Sequence, residues 1–162
     1  MTSNSEVLVV VRASPGRRVL GVGALALLGL LAVYVAMARP PGALLWQMFL
    51  VVIGGLALWM ADAMRRATAL AVELTREGLR TSDGEMIARL EDIDSLDRGI
   101  FAFKPSNGFL IKLKQKAPAR WRPGLWWRMG KRVGIGGVTP GAQSRAMADI
   151  VTALIRGDIE LD

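Results

Sequence analysis

The chain has 162 residues and a formal net charge of +7, with 21 Lys and Arg against 14 Asp and Glu. It contains no His and no Cys, which excludes disulfides, thiol nucleophiles, Cys/His zinc centres, Ser-His-Asp triads and His-ligated haem. Carboxylate, Lys and Tyr chemistry remain, and the basic balance favours an anionic partner such as a lipid surface, a nucleic acid or an acidic protein.

Residues 1–18 form a short N-terminal segment. Within it Val7-Leu-Val-Val-Val-Arg12 is a β-branched run too short to span a bilayer. It is expected to be a strand that pairs with a later sheet; a disordered tail is the alternative.

Val19 to Ala38 is free of charge and about 20 residues long, enough to cross a hydrocarbon core of about 30 Å. Residues 39–42, Arg-Pro-Pro-Gly, break the helix, because Pro lacks an N–H and pushes the preceding residue out of the α region. A second apolar helix is placed at residues 43–64, with Gln47 its strong polar group. Two such runs joined by a few residues predict a transmembrane helical hairpin. Tyr34, Trp46 and Trp59 lie near its ends, where amphipathic rings suit the interface. A cleaved signal peptide ending at Ala36-Met37-Ala38 is the rival reading, but the apolar run is longer than a usual signal core.

Arg12, Arg17 and Arg18 precede the first run, Arg65 and Arg66 follow the second, and Arg39 is the turn's basic residue. The positive-inside rule then puts both termini in the cytoplasm, so the expected location is a bacterial inner membrane, crossed twice. Asp62 can pair with Arg66 one helical turn on. Gly54 and Gly55 are candidates for close helix packing, within the hairpin or against another membrane protein.

From residue 67 to 157 the pattern becomes short and strand-like. Strands are expected at residues 69–75, 79–81, 86–90, 96–103, 109–115 and 132–138. Ser82-Asp83-Gly84-Glu85 carries a hairpin signal, and residues 91–95 form an acidic corner. Residues 117–130 read as a Pro- and Trp-rich excursion between strands. Thr139-Pro140 opens a helix with Thr139 as its cap. Met147, Ile150, Val151 and Leu154 give it one apolar face, and Gly157 stops it. Residues 158–162 are a tail. The expected fold class is thus a membrane helical hairpin plus an α+β unit, a small bent antiparallel sheet or barrel closed by a C-terminal helix.

Leu74, Thr75, Gly78 and Leu79, followed by Ile87, Leu90, Glu91, Asp92 and Ile93, resemble the start of a bacterial pleckstrin-homology-like domain. The resemblance is architectural over residues 67–157, while its motif covers some 20 residues; Leu90 stands where a Trp is common. It implies a PH-like sheet with a closing helix behind a pair of membrane helices. It does not imply phosphoinositide binding.

Charge is segregated. Between Arg98 and Ala148 there is no Asp or Glu, whereas Asp83, Glu85, Glu91, Asp92, Asp94 and Asp97 precede it. Lys112, Lys114 and Lys116 share one strand face. Arg120, Trp121, Arg122, Trp126, Trp127, Arg128, Lys131 and Arg132 complete a basic, aromatic candidate surface. Its readings are a contact with anionic lipid headgroups, a protein interface, or indoles folded into the core beside solvated arginines. Nucleic acid is disfavoured, since no nucleic-acid motif is present. Gly134-Ile-Gly136-Gly137 lacks the spacing of a phosphate loop and reads as a close-packed strand. Glu91, Asp92 and Asp94 lack a calcium-loop spacing. No catalytic residue, metal, cofactor or small-molecule substrate is inferred. The expected role is a non-catalytic accessory, assembly or scaffolding subunit of a larger inner-membrane complex. The alternative is a membrane-surface adaptor that binds anionic lipid through the Trp-rich loop.

Overall fold

A computed structural model gives the fold, and its description covers residues 6–39, 42–97 and 105–158. The β-branched N-terminal run is a strand, β1 (Val7–Arg12). Two helices of 24 residues follow, α1 (Pro15–Ala38) and α2 (Leu44–Ala67). Both are long and apolar enough to cross a membrane, and most of their surface is uncovered by the rest of the protein. They pack side by side over their length. At their crossing, a Cβ on Gly29 would lie 2.9 Å from the Gly54 carbonyl oxygen, so the backbones meet as only small residues permit. Gln47, the polar group of α2, donates from Nε2 to the Ala36 carbonyl at 3.0 Å. Asp62 pairs with both Arg65 and Arg66 at 2.8 Å.

The chain leaves α2 directly into β2 (Ala71–Thr75), then β3 (Gly78–Thr81) and β4 (Met86–Arg89). β1 pairs antiparallel with β2, Arg12 opposite Ala71 and Val11 opposite Val72. The first sheet therefore has the order β1-β2-β3-β4, and the helix pair is inserted between its first two strands. Both ends of the pair open into neighbouring strands.

A 3-10 turn (Leu90–Asp92) leads to β5 (Ile93–Asp97), β6 (Phe109–Arg122) and β7 (Trp126–Ile135), a second antiparallel sheet in that order. The expected strand at 96–103 begins earlier, at Ile93, because its buried side chain pairs with the level of Leu113; residues 98–104 lie outside the described residues.

The excursion expected at 117–130 is instead part of the second sheet. β6 continues to Arg122, and Ala117, Arg120, Trp121 and Arg122 pair with Gly130, Arg128, Trp127 and Trp126. Pro118 falls where the register shifts between Ala117 and Arg120, so its missing N–H costs no regular ladder bond. Pro123 and Gly124 occupy the centre of a tight turn closed by Leu125 N–H donating to Arg122 O at 3.1 Å. Gly124 has φ +80°, the left-handed geometry that glycine accepts freely.

The C-terminal helix α3 (Gly141–Arg156) ends with Gly157 in the left-handed conformation, as expected. Its cap position is Pro140 rather than Thr139. The Thr139 hydroxyl is buried against that of Ser144 at 3.1 Å, which leaves it unable to cap. Met147 and Val151 join the core built by both sheets, with Ile150 and Leu154 at its margin. The fold is α+β: two long apolar helices, two small antiparallel sheets and a C-terminal helix.

Candidate functional site

Strand alternation sorts the β6–β7 ribbon into two faces. Arg120, Arg122, Trp126 and Arg128 share one. Ala119, Trp121, Trp127 and Met129 share the other. The cationic face turns toward the first sheet. Arg122 meets Glu85 at 2.7 Å and Asp83 at 3.3 Å, and Arg120 meets Glu85 at 3.5 Å. Arg128 donates from one nitrogen to the Met86 and Ile87 carbonyls, at 3.2 and 2.8 Å, and from Nε to Pro118 O at 2.9 Å. Among the described residues β4 pairs with β3 alone, and Arg128 joins it to β7 where no described ladder does. A guanidinium suits this bridge because its planar fork presents several donors.

The turn between β3 and β4 supplies the acidic partners. Thr81 donates its hydroxyl to Asp83, and this bond above all holds the Asp83 carboxyl below the ordinary carboxylate range. Partial burial works against it; the Glu85 N–H and the Arg122 charge reinforce it.

The other ribbon face is apolar and looks outward. Trp121 is 54% exposed and Met129 67% exposed. Ala119, Trp121, Trp127 and Met129, with Arg120 and Arg128, line a shallow groove of about 420 Å³. Trp127 is held in place because Gly134 beneath its ring has no side chain; a Cβ there would lie 2.4 Å from Trp127 Nε1. Sequence reading missed Met129. Its signal was the alternation of Ala119 and Trp121, then Trp127 and Met129, on either side of a Pro-Gly turn.

Trp126 is not part of this surface. It is 1% exposed and lies in the core, with the Arg128 guanidinium 5.9 Å from its ring centre. Two residues from Gly124, it is carried inward with Leu125 as the ribbon tip folds back. Lys112 is paired with Asp94 at 3.7 Å, and Lys114 donates to the Glu91 carbonyl at 2.7 Å. Lys112, Lys114, Arg122 and Arg128 thus have partners within the unit, whereas Lys116, Lys131 and Arg132 stay exposed on the ribbon.

The ribbon tip lies at the base of the helix pair. A Cβ on Gly124 would be 3.0 Å from Thr68 Cγ2 and 3.1 Å from Met64 Cε. Met64 in turn reaches Gly21 on α1, where a Cβ would be 2.6 Å from its methyl. Ser14 N–H donates to Val138 O at 2.8 Å, and Arg17 to Thr139 O at 3.0 Å. Gly137 packs on the Gly124 backbone, where any Cβ would collide with it at 2.7 Å; this close approach is what the Gly134–Gly137 run provides. Arg18 donates to Arg65 O at 3.1 Å, tying the two helix ends together. Tyr34, Trp46 and Trp59 point away from the helix pair. Gly54 is enclosed at the crossing, whereas Gly55 has open space above it and takes no part in packing the two helices.

Among the described residues no group of three or more Asp or Glu is placed to hold a metal ion. The molecule is an α+β unit interrupted by a pair of long apolar helices and carrying an outward apolar ribbon beside their base. No family model, curated protein sequence or solved structure matches the chain.

Proposed function

We propose that the chain is a two-pass protein of a bacterial inner membrane, with both termini cytoplasmic and a PH-like domain built around the membrane hairpin. Its role is that of a non-catalytic accessory, assembly or scaffolding subunit of a larger membrane complex. The four-plus-three strand order with a C-terminal helix supports the PH-like reading. The apolar helices, with Arg17, Arg18, Arg65 and Arg66 at one end, support the topology.

The observation that carries the functional reading is the insertion of the helix pair between β1 and β2. A domain that needs only to be near a membrane is served by one flexible tether. Here both ends of the anchor enter one sheet, and Ser14 and Arg17 add bonds to the segment before α3. Such an attachment fixes which way the domain faces, and orientation matters to a subunit that must present a surface to a membrane-embedded neighbour. The acidic groups of the Asp83–Glu85 turn serve structure, held by Thr81, Arg120 and Arg122.

The test is purification from native membranes in mild detergent, with quantitative mass spectrometry. A membrane complex containing this chain at fixed stoichiometry, and failing to assemble in its absence, is expected. Recovery of the free chain alone, with assembly of membrane complexes unaffected by its deletion, overturns the reading.

A further inference from the structure

We infer that the outward face of the β6–β7 ribbon is an apolar wedge seated in the interfacial layer of the bilayer, beside the helix pair, with Trp121 and Met129 as its immersed residues. The inference rests on the membrane reading above and deepens it: the domain touches lipid by an apolar contact, not through its basic residues.

Three observations lead there. First, the ribbon's polarity is inverted for a surface facing water. Arg122 and Arg128 turn to Asp83, Glu85 and the β4 carbonyls, while Ala119, Trp121 and Met129 face outward. Exposed apolar faces of this kind are cover sites rather than ordinary surface.

Second, the ribbon's tip is packed against the base of the apolar helices. Gly124, at the ribbon tip, touches Met64, and Met64 touches Gly21 inside the charge-free run of α1. Trp121 is three residues from Gly124, roughly 10 Å of strand at most. The headgroup layer is about 5–7 Å deep on each side of the core, so the wedge requires the ribbon to run along the membrane surface rather than away from it.

Third, the charge of this rim permits the approach. Asp83 and Glu85 would be repelled by an anionic leaflet, but Arg120 and Arg122 neutralise them in place. Indole and thioether side chains then meet the layer that suits them, an apolar body with a polar margin.

The chain lacks Cys, so single cysteines report without background. Met129→Cys, Trp59→Cys and Glu77→Cys are each labelled with an environment-sensitive fluorophore in the full chain, reconstituted in phosphatidylcholine nanodiscs with and without phosphatidylglycerol. Nitroxide-bearing lipids are the quencher. Expected are strong quenching at Trp59, quenching and a blue-shifted emission at Met129, and neither at Glu77, which lies at the far turn of the first sheet. The Met129 signal should be alike in both lipids, and Trp121→Ser in the Met129→Cys background should lower it toward the Glu77 level. Ala119→Cys serves as a second reporter should the Met129 variant not fold.

An unquenched Trp59 label overturns the membrane reading itself. A quenched Trp59 beside an unquenched Met129 overturns the wedge alone. A Met129 signal that requires phosphatidylglycerol overturns the apolar contact in favour of a charged one, and one that appears only with a co-purified protein assigns the face to that partner.

Discussion

Gly29 and Gly54 face each other where α1 crosses α2. A Cβ on Gly54 would lie 3.0 Å from the Gly29 carbonyl oxygen and 2.7 Å from Val33 Cγ2. Gly54→Val should force the helices apart and cost about 1–3 kcal/mol, the usual range for overpacking. Gly55→Val, with open space around it, should stay within about 0.5 kcal/mol of the parent. Unfolding in a fixed detergent compares the two; equal losses would refute the crossing.

The pairing of β1 with β2 makes a second prediction. Val11 is 0% exposed and packs with Val72 and Leu74 in the core. A fragment starting at Ala67 lacks this strand and should not fold stably. Residues 6–13 joined to 67–158 by a short Gly/Ser linker should fold without the helix pair, because Arg12 already lies opposite Ala71. Amide-exchange protection of β2 in the two polypeptides decides it, and a well-folded fragment from Ala67 would count against a structural role for β1.

Arg128 joins β7 to carbonyls of β4. Arg128→Met should cost about 2–3 kcal/mol, since its charge-assisted bonds to the Met86 and Ile87 carbonyls are lost. Arg128→Lys should recover only part, as an ammonium cannot reproduce the fork. Thermal unfolding of the three proteins is the measurement, and full recovery by Lys would argue that charge alone suffices.

Asp83 titrates below its ordinary range because the Thr81 hydroxyl stabilises its ionised form. A carboxyl depressed in the folded state contributes stability that is present above its unfolded pKa of about 3.9 and fades as pH falls through the lower folded value. Thr81→Val should therefore flatten the loss of stability below about pH 4. Melting temperature followed from pH 6 to pH 2.5 tests the sign; an unchanged acid limb would remove Asp83 from the account.

Much of the fold was legible from local chemistry. The long apolar runs, the β-branched run of β1, the Asp83-Gly84 turn and the Gly157 stop each depend on a few neighbouring residues. The ribbon was less legible because Pro118 reads as a strand breaker, and only the bulge in its own strand between Ala117 and Arg120 makes it harmless. Trp126 and Trp127 are adjacent and chemically identical, yet one is buried in the core and the other lies along the surface over Gly134. Alternation separates their faces, but which face meets the core depends on how the ribbon tip folds back. The candidate surface was accordingly read as basic and aromatic together, whereas Arg120, Arg122 and Arg128 meet partners 35 to 42 positions earlier in the chain.

Composition and hydropathy alone determined that this chain has two helices long and apolar enough to cross a membrane, carries strands and a final helix after them, and lacks the Cys and His that thiol, imidazole and Cys/His-zinc chemistry need. Those properties are local, set by side chains within a few residues of one another. Tertiary structure decided that the N-terminal run is paired with β2 and not a free tail, so that the helix pair interrupts a sheet, and that Arg122 and Arg128 turn to the first sheet while Trp121 and Met129 face outward. Both depend on long-range pairing, β1 with β2 across two helices and Arg122 with Glu85 across two sheets, where the free energy comes from contacts between distant parts of the chain.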